Sequence, residues 1–191
     1  SNIVYSFVFI YPILLSINKK RKHVMNKTAI LYGSSAGNTE SVANRIKEMF
    51  DGKADVYNIG TISTKVVEPY QNLILGASTT GIGDLQDDWE DFLPEFLSKV
   101  DFTDKTVAIF GLGDSASFSD SFAESIYVLY NALKNRVKIV GQTPDVGYTY
   151  DESQAVVDGK WLGLAIDEDN EYEETEERLT KWVNQLKEEF I

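Results

Sequence analysis

From Lys27 onward, short apolar runs alternate with amphipathic ones, and this alternation constrains the fold more than any other feature of the chain. Thr28-Ala-Ile-Leu-Tyr32 reads as a buried strand, and the segment after it places Val42, Ile46, Met49 and Phe50 on one helical face. Ala54–Asn58 is a second, weaker strand. Asn72–Ala77 is a third, followed by a helix through Trp89, Phe92, Leu93 and Phe96. Thr106–Gly111 is a fourth, followed by Phe122, Ile126, Leu129 and Leu133 at helical spacing. The fifth strand is interrupted: Lys138–Gly141 begins it and Lys160–Ile166 resumes it across a polar, turn-rich stretch. A last helix carries Leu179, Trp182, Val183, Leu186 and Phe190. The pattern predicts an α/β protein, a three-layer α/β/α sandwich on a five-stranded parallel sheet with a loop inserted in the fifth strand.

Composition narrows the chemistry. The chain of 191 residues has no cysteine, which excludes disulfides, thiol chemistry and cysteine metal sites. Its only histidine is His23, outside the alternating region, so a histidine-based dyad in the main domain is excluded as well. Redox chemistry therefore requires a bound cofactor. Thirty acids against 18 bases give a formal charge of −12, which argues against a nucleic-acid partner and suits steering toward a basic protein.

Residues 1–24 read differently. Ile3–Ile17 is largely apolar and is followed by Lys19-Lys20-Arg21-Lys22. The run is short for a membrane-spanning helix, which needs about 20 residues. Its basic residues follow the apolar stretch, the reverse of a signal peptide. The expectation is that residues 1–24 lie outside the fold, as upstream sequence translated from a misplaced start, with Met25 the true first residue. A membrane anchor and an ordered extension are the alternatives. Residues 25–191 form one domain.

In an open α/β sheet, ligands bind beyond the carboxyl ends of the strands, so the loops after strands one, three and four carry the information. The first is Gly33-Ser34-Ser35-Ala36-Gly37-Asn38-Thr39-Glu40, small and hydroxylic, able to surround an anion at a helix start. It is neither a P-loop nor a dinucleotide fingerprint, and its lack of a base suits one phosphate monoester held by neutral donors. The plainer reading is a polar turn with Thr39 as helix cap. The second loop, Ser78-Thr79-Thr80-Gly81-Ile82-Gly83-Asp84-Leu85-Gln86, has two glycines that permit positive φ and close approach to a flat ligand. The third, Gly111–Asp120, holds a lone aromatic, Phe118, among small polar residues, where stacking on a ligand ring explains it better than core packing.

Together these loops resemble those of the flavodoxins over essentially all of residues 25–191. The split fifth strand and the run Gly163–Asn170 resemble the long-chain subgroup. The resemblance implies the strand order 2-1-3-4-5 and one non-covalently bound FMN as cofactor. It also implies a low-potential one-electron carrier cycling between semiquinone and hydroquinone, not an enzyme. Carried over residue by residue, the phosphate loop is Ser34, Ser35, Ala36, Gly37, Asn38 and Thr39, with Ala36 standing where the family has a hydroxyl. Ser78, Thr79, Thr80, Gly81, Ile82 and Gly83 would face one side of the flavin ring, with Thr80-Gly81 where many members have tryptophan. Phe118 replaces the usual stacking tyrosine on the other side. Leu112, Gly113 and Asp114 would approach the pyrimidine edge, joined by Asp169. The Gly81–Ile82 peptide would reorient with redox state.

Acidic residues around the mouth (Asp84, Asp87, Asp88, Glu90, Asp114 and Asp120) would meet basic partners, namely a ferredoxin/flavodoxin reductase or ferredoxin-linked oxidoreductases. A cytoplasmic monomer with no membrane and no nucleic-acid contact is expected. Two alternatives stay open at this level: an FMN-dependent quinone reductase, for which the exposed ring face speaks, and a binding module that has lost the flavin.

Overall fold

A computed structural model describes residues 25–191, so the expectation for residues 1–24 lies outside the described residues. In chain order the elements are β1 (Thr28–Tyr32), α1 (Asn38–Met49), β2 (Ala54–Asn58), β3 (Asn72–Thr80), β4 (Asp84–Leu85), α2 (Asp87–Lys99) and β5 (Thr106–Leu112). They continue with α3 (Ser125–Leu133), β6 (Lys138–Val140), β7 (Thr143–Pro144), β8 (Val156–Val157), β9 (Lys160–Trp161), β10 (Leu164–Ile166) and α4 (Tyr172–Glu189).

The central sheet is parallel. β1 pairs with β2 on one side and β3 on the other, and β3 pairs with β5. Both β6 and β10 then pair with β5, β6 against Thr106–Ala108 and β10 against Phe110–Leu112. The two short strands act as one interrupted strand, so the sheet runs β2-β1-β3-β5-β6/β10, which is the expected order 2-1-3-4-5 when only the main parallel strands are counted.

Successive residues of each strand enter opposite layers. Ala29, Leu31, Leu73, Leu75, Val107 and Ile109 join Trp89, Phe96, Ile126 and Leu129 in one core. Ile30, Ile74, Ala108 and Phe110 join Val42, Ile46, Trp182 and Leu186 in the other. Continuous apolar runs such as Thr28–Tyr32 follow from this, because both faces of the sheet are covered by helices.

Two boundaries differ from the sequence expectation by more than one residue. The third strand does not end at Ala77 but runs to Thr80, then folds back so that Thr79 and Thr80 pair antiparallel with Leu85 and Asp84. The fifth strand resumes at Leu164, not at Lys160; Lys160 and Trp161 pair instead with Thr143–Pro144 and Val156–Val157 in a separate three-stranded sheet. Trp161 explains the second difference. Its fully buried indole needs an aromatic nest, and ring centres of Phe122, Tyr148 and Tyr150 lie 5.6, 5.3 and 5.2 Å away. Packing there takes the strand out of the main sheet until Leu164.

β1 stops opposite Gly76, whereas β3 and β5 extend further, with Ser78 opposite Leu112. The step leaves room at the end of β1 for the loop that follows. Among the described residues, no helix is long and apolar enough to cross a membrane.

Candidate cofactor site

The loop after β1 is built to leave helix donors open. Gly37 caps α1 in the left-handed conformation (φ 93°), and its N–H donates to Ser34 Oγ at 3.0 Å. Among the described residues, no side chain caps the helix. Thr39 is therefore not the cap that the plainer reading allowed: it sits in the first turn, buried. The first intrahelical bond is Ser41 N–H to Gly37 O, so the N–H groups of Asn38, Thr39 and Glu40 have no acceptor within the helix. They concentrate positive potential at one end of a cleft.

The strand end Ser78–Thr80 forms one wall. Thr79 Oγ1 accepts the Ser125 N–H and donates to Ser125 Oγ, both at 3.0 Å, which ties the wall to α3. Thr80 Oγ1 donates to Leu85 O at 3.0 Å across the hairpin. Gly81 (φ 51°) and Gly83 (φ 91°) make the tip, with Ile82 82% exposed between them.

The opposite wall is the loop after β5. Asp114 Oδ1 accepts from Ala116 N–H, Ser117 N–H and Asn170 Nδ2 at 3.1, 2.9 and 2.9 Å. The Ser117 and Asn170 contacts hold its carboxyl below the usual carboxylate range. Phe118 follows from this turn, its N–H bonded to Asp114 O at 2.9 Å and its side chain 43% exposed at the cleft. Asp167 is fully buried and accepts from the N–H groups of Ser115, Asp169 and Asn170, fastening the segment after β10 to this loop. Asp169 at the rim is pushed above the usual range, first by desolvation and then by its neighbours Asp114, Asp167 and Glu168.

These walls enclose a cleft of about 240 Å³. Thirteen of the residues singled out from sequence line it: Ser34, Ser35, Ala36, Asn38, Thr39, Ser78, Thr79, Thr80, Leu112, Gly113, Asp114, Phe118 and Asp169. Four do not. Gly37 shapes the loop without lining the cleft. Gly81 borders a small adjoining recess with Ser121, whose buried hydroxyl has no partner among the described residues, and Ile82 and Gly83 stand at the hairpin tip. Sequence reasoning missed Glu168, which lines the cleft and pairs with Arg45 at 3.4 Å. Nothing in its local sequence distinguishes it from the neighbouring acids, since Arg45 reaches it from α1.

Among the described residues, no lysine or arginine lines the cleft. An open helix start beside hydroxyls, with a half-exposed phenyl ring on one side, fits a ligand that has one phosphate and one flat ring system. FMN has that shape.

The sequence profile of the family described as Flavodoxin matches residues 30–182. A flavodoxin of Helicobacter pylori is 44% identical over 166 residues, covering 87% of this chain and 99% of that protein. The chain belongs to the flavodoxin family. Flavodoxin 1 of Azotobacter vinelandii is 41% identical over 172 residues, covering 87% of this chain and 99% of its own. The solved flavodoxin of Fusobacterium nucleatum bound to flavin mononucleotide superposes with a TM-score of 0.81 at 31% identity, covering 87% and 100% of the two chains. Membership makes the chain an electron-transfer protein, not an enzyme such as a quinone reductase.

Proposed function

We propose that residues 25–191 form an FMN-binding domain that carries electrons one at a time between protein partners, with the cleft between the three loops as its cofactor site. The observation that carries this reading is the open start of α1, set between Ser34, Ser35 and the Phe118 wall. Bound FMN supplies the redox chemistry. The protein holds it: Ser34, Ser35, Asn38 and Thr39 receive the phosphate, Ser78–Thr80 flank one ring face and Phe118 the other. Leu112, Gly113 and Asp114 border the pyrimidine edge with Asp169. Gly81 and Ile82, at the exposed tip, supply the peptide that reorients with redox state.

Asp84, Asp87, Glu90 and Asp120 are exposed, and Asp88 and Asp114 half-buried, on the hairpin after β3, the start of α2 and the loop after β5. Their field favours basic partners such as a flavodoxin/ferredoxin reductase or ferredoxin-linked oxidoreductases, in contacts weakened by salt. Ile82 and Phe118 give such a partner apolar points within that rim. We place the protein in the cytoplasm as a monomer.

A visible spectrum with added FMN, followed by stepwise anaerobic reduction, tests the reading. Two resolved one-electron steps support it; direct two-electron reduction, or no flavin binding, contradicts it.

A further inference from the structure

On this reading of the cleft, we infer that Gln86, which does not itself line it, is a positioning residue that turns the Ser35 hydroxyl into a phosphate donor. Gln86 is 2% exposed and lies immediately before α2, beneath the loop that follows β1. Its Nε2 is 2.8 Å from Asp88 Oδ2 and 3.2 Å from Ser35 Oγ.

The chemistry of these partners sets the direction of each bond. An ionised carboxylate only accepts, so the Gln86 amide must present its NH₂ end to Asp88. The second hydrogen of that NH₂ then points to Ser35 Oγ. A hydroxyl that accepts from one side keeps its single hydrogen for another, and the open side of Ser35 is the cleft. Ser34 is handled in the same way, its oxygen accepting the Gly37 N–H. Both serines are thereby left as donors toward an anion.

Two further observations show that the amide is placed there at a cost. A Cβ on Gly33 would lie 2.2 Å from Gln86 Oε1 and 2.9 Å from Trp89 Cδ1. Gly33 is not in the left-handed region, so its backbone does not require glycine; the space above it does. Moreover, Gln86 Oε1 is buried without a hydrogen-bond partner among the described residues. An apolar side chain of similar size would remove that unfavourable oxygen. The NH₂ end is what such a side chain could not replace.

The test separates phosphate from ring. The full chain, stripped of flavin, is titrated with FMN and with riboflavin, which has the ring but no phosphate. Wild-type protein should bind FMN more tightly than riboflavin; failure to do so contradicts the cofactor reading itself. Gln86→Leu is expected to weaken FMN about tenfold, as for one lost hydrogen bond to a charged group, while riboflavin stays within about twofold. In a Ser35→Ala background the same change should cost no further FMN affinity. Equal weakening of both ligands, an unchanged ratio, or full additivity with Ser35→Ala would overturn the inference. Should Gln86→Leu fail to fold by circular dichroism, Asp88→Asn decides. It removes the carboxylate that orients the amide and should lower the same ratio, and an unchanged ratio would overturn the inference.

Discussion

The carboxylate of Glu124 occupies the space that any side chain at position 83 would need: a Cβ on Gly83 would lie 2.5 Å from Glu124 Oε2. Glu124 is itself buried and held by Gln154, whose N–H and Nε2 donate to it at 2.9 and 3.1 Å. The hairpin at the cleft, the start of α3 and the inserted loop thus meet at one carboxylate. Gly83 also has φ 91°, a conformation that disfavours a Cβ. Gly83→Ala should therefore destabilise the flavin-free protein by about 1–3 kcal/mol, read from urea unfolding. Unchanged stability would show that the tip yields freely.

Phe118 touches little of the core, being 43% exposed, yet it forms one wall of the cleft. Phe118→Ala should leave the flavin-free protein nearly as stable and weaken FMN by about 0.5–1.5 kcal/mol, the worth of an aromatic stack. Equilibrium titration and thermal unfolding of the same sample check both halves.

Ala36 lines the cleft and is exposed, so a hydroxyl side chain fits there without repacking. Ala36→Thr should tighten FMN by about 1 kcal/mol through one added hydrogen bond to the phosphate, with riboflavin unaffected. A loss of affinity would place the phosphate elsewhere.

Asp169 gives a pH dependence whose sign follows from its raised value in the folded state. Between the unfolded value of 3.8 and the higher folded one, the folded protein holds the extra proton, so this group lowers stability as pH rises through that window. Below the window its contribution vanishes. Asp169→Asn should accordingly raise the unfolding temperature of the flavin-free protein at neutral pH and make no difference near pH 3. The opposite pattern would mean that a bond to the ionised form has been missed.

Arg178 fastens the inserted loop to α4. Its Nη2 donates to Gly147 O and pairs with Glu171 Oε2, both at 2.7 Å, and its guanidinium lies 3.9 Å from the Tyr148 ring centre. The side chain is only 11% exposed, so these contacts are poorly screened. Arg178→Ala should cost about 1–3 kcal/mol by leaving the Gly147 carbonyl and Glu171 Oε2 without their partner. Faster amide exchange confined to residues 143–161 would accompany it.

Much of this arrangement was legible in the chain. The apolar runs at Thr28–Tyr32 and Thr106–Gly111, and the helical spacing of Leu179, Trp182, Val183 and Leu186, predicted elements that the structure contains. The lone ring of Phe118 in a polar loop marked one wall of the cleft. Ser78–Thr80 reads as loop because its residues are small and polar; it is strand because Asp84 and Leu85 return to pair with Thr80 and Thr79. The run Lys160–Ile166 reads as the resumed fifth strand, but a satellite sheet takes Lys160–Trp161 equally well.

What the sequence determined by itself is therefore what acts over short range: strand and helix periodicity, the absence of thiols and of a usable histidine, and the hydroxyl-rich loop after the first strand. Only the tertiary structure decided which of these groups converge. Arg45 meets Glu168 across 123 positions, Gln154 meets Glu124 across 30, and Gln86 meets Ser35 across 51. Contacts of that separation depend on how the strands are registered and how the helices cover them. No local pattern encodes them, because each is fixed only once both cores have closed around the sheet.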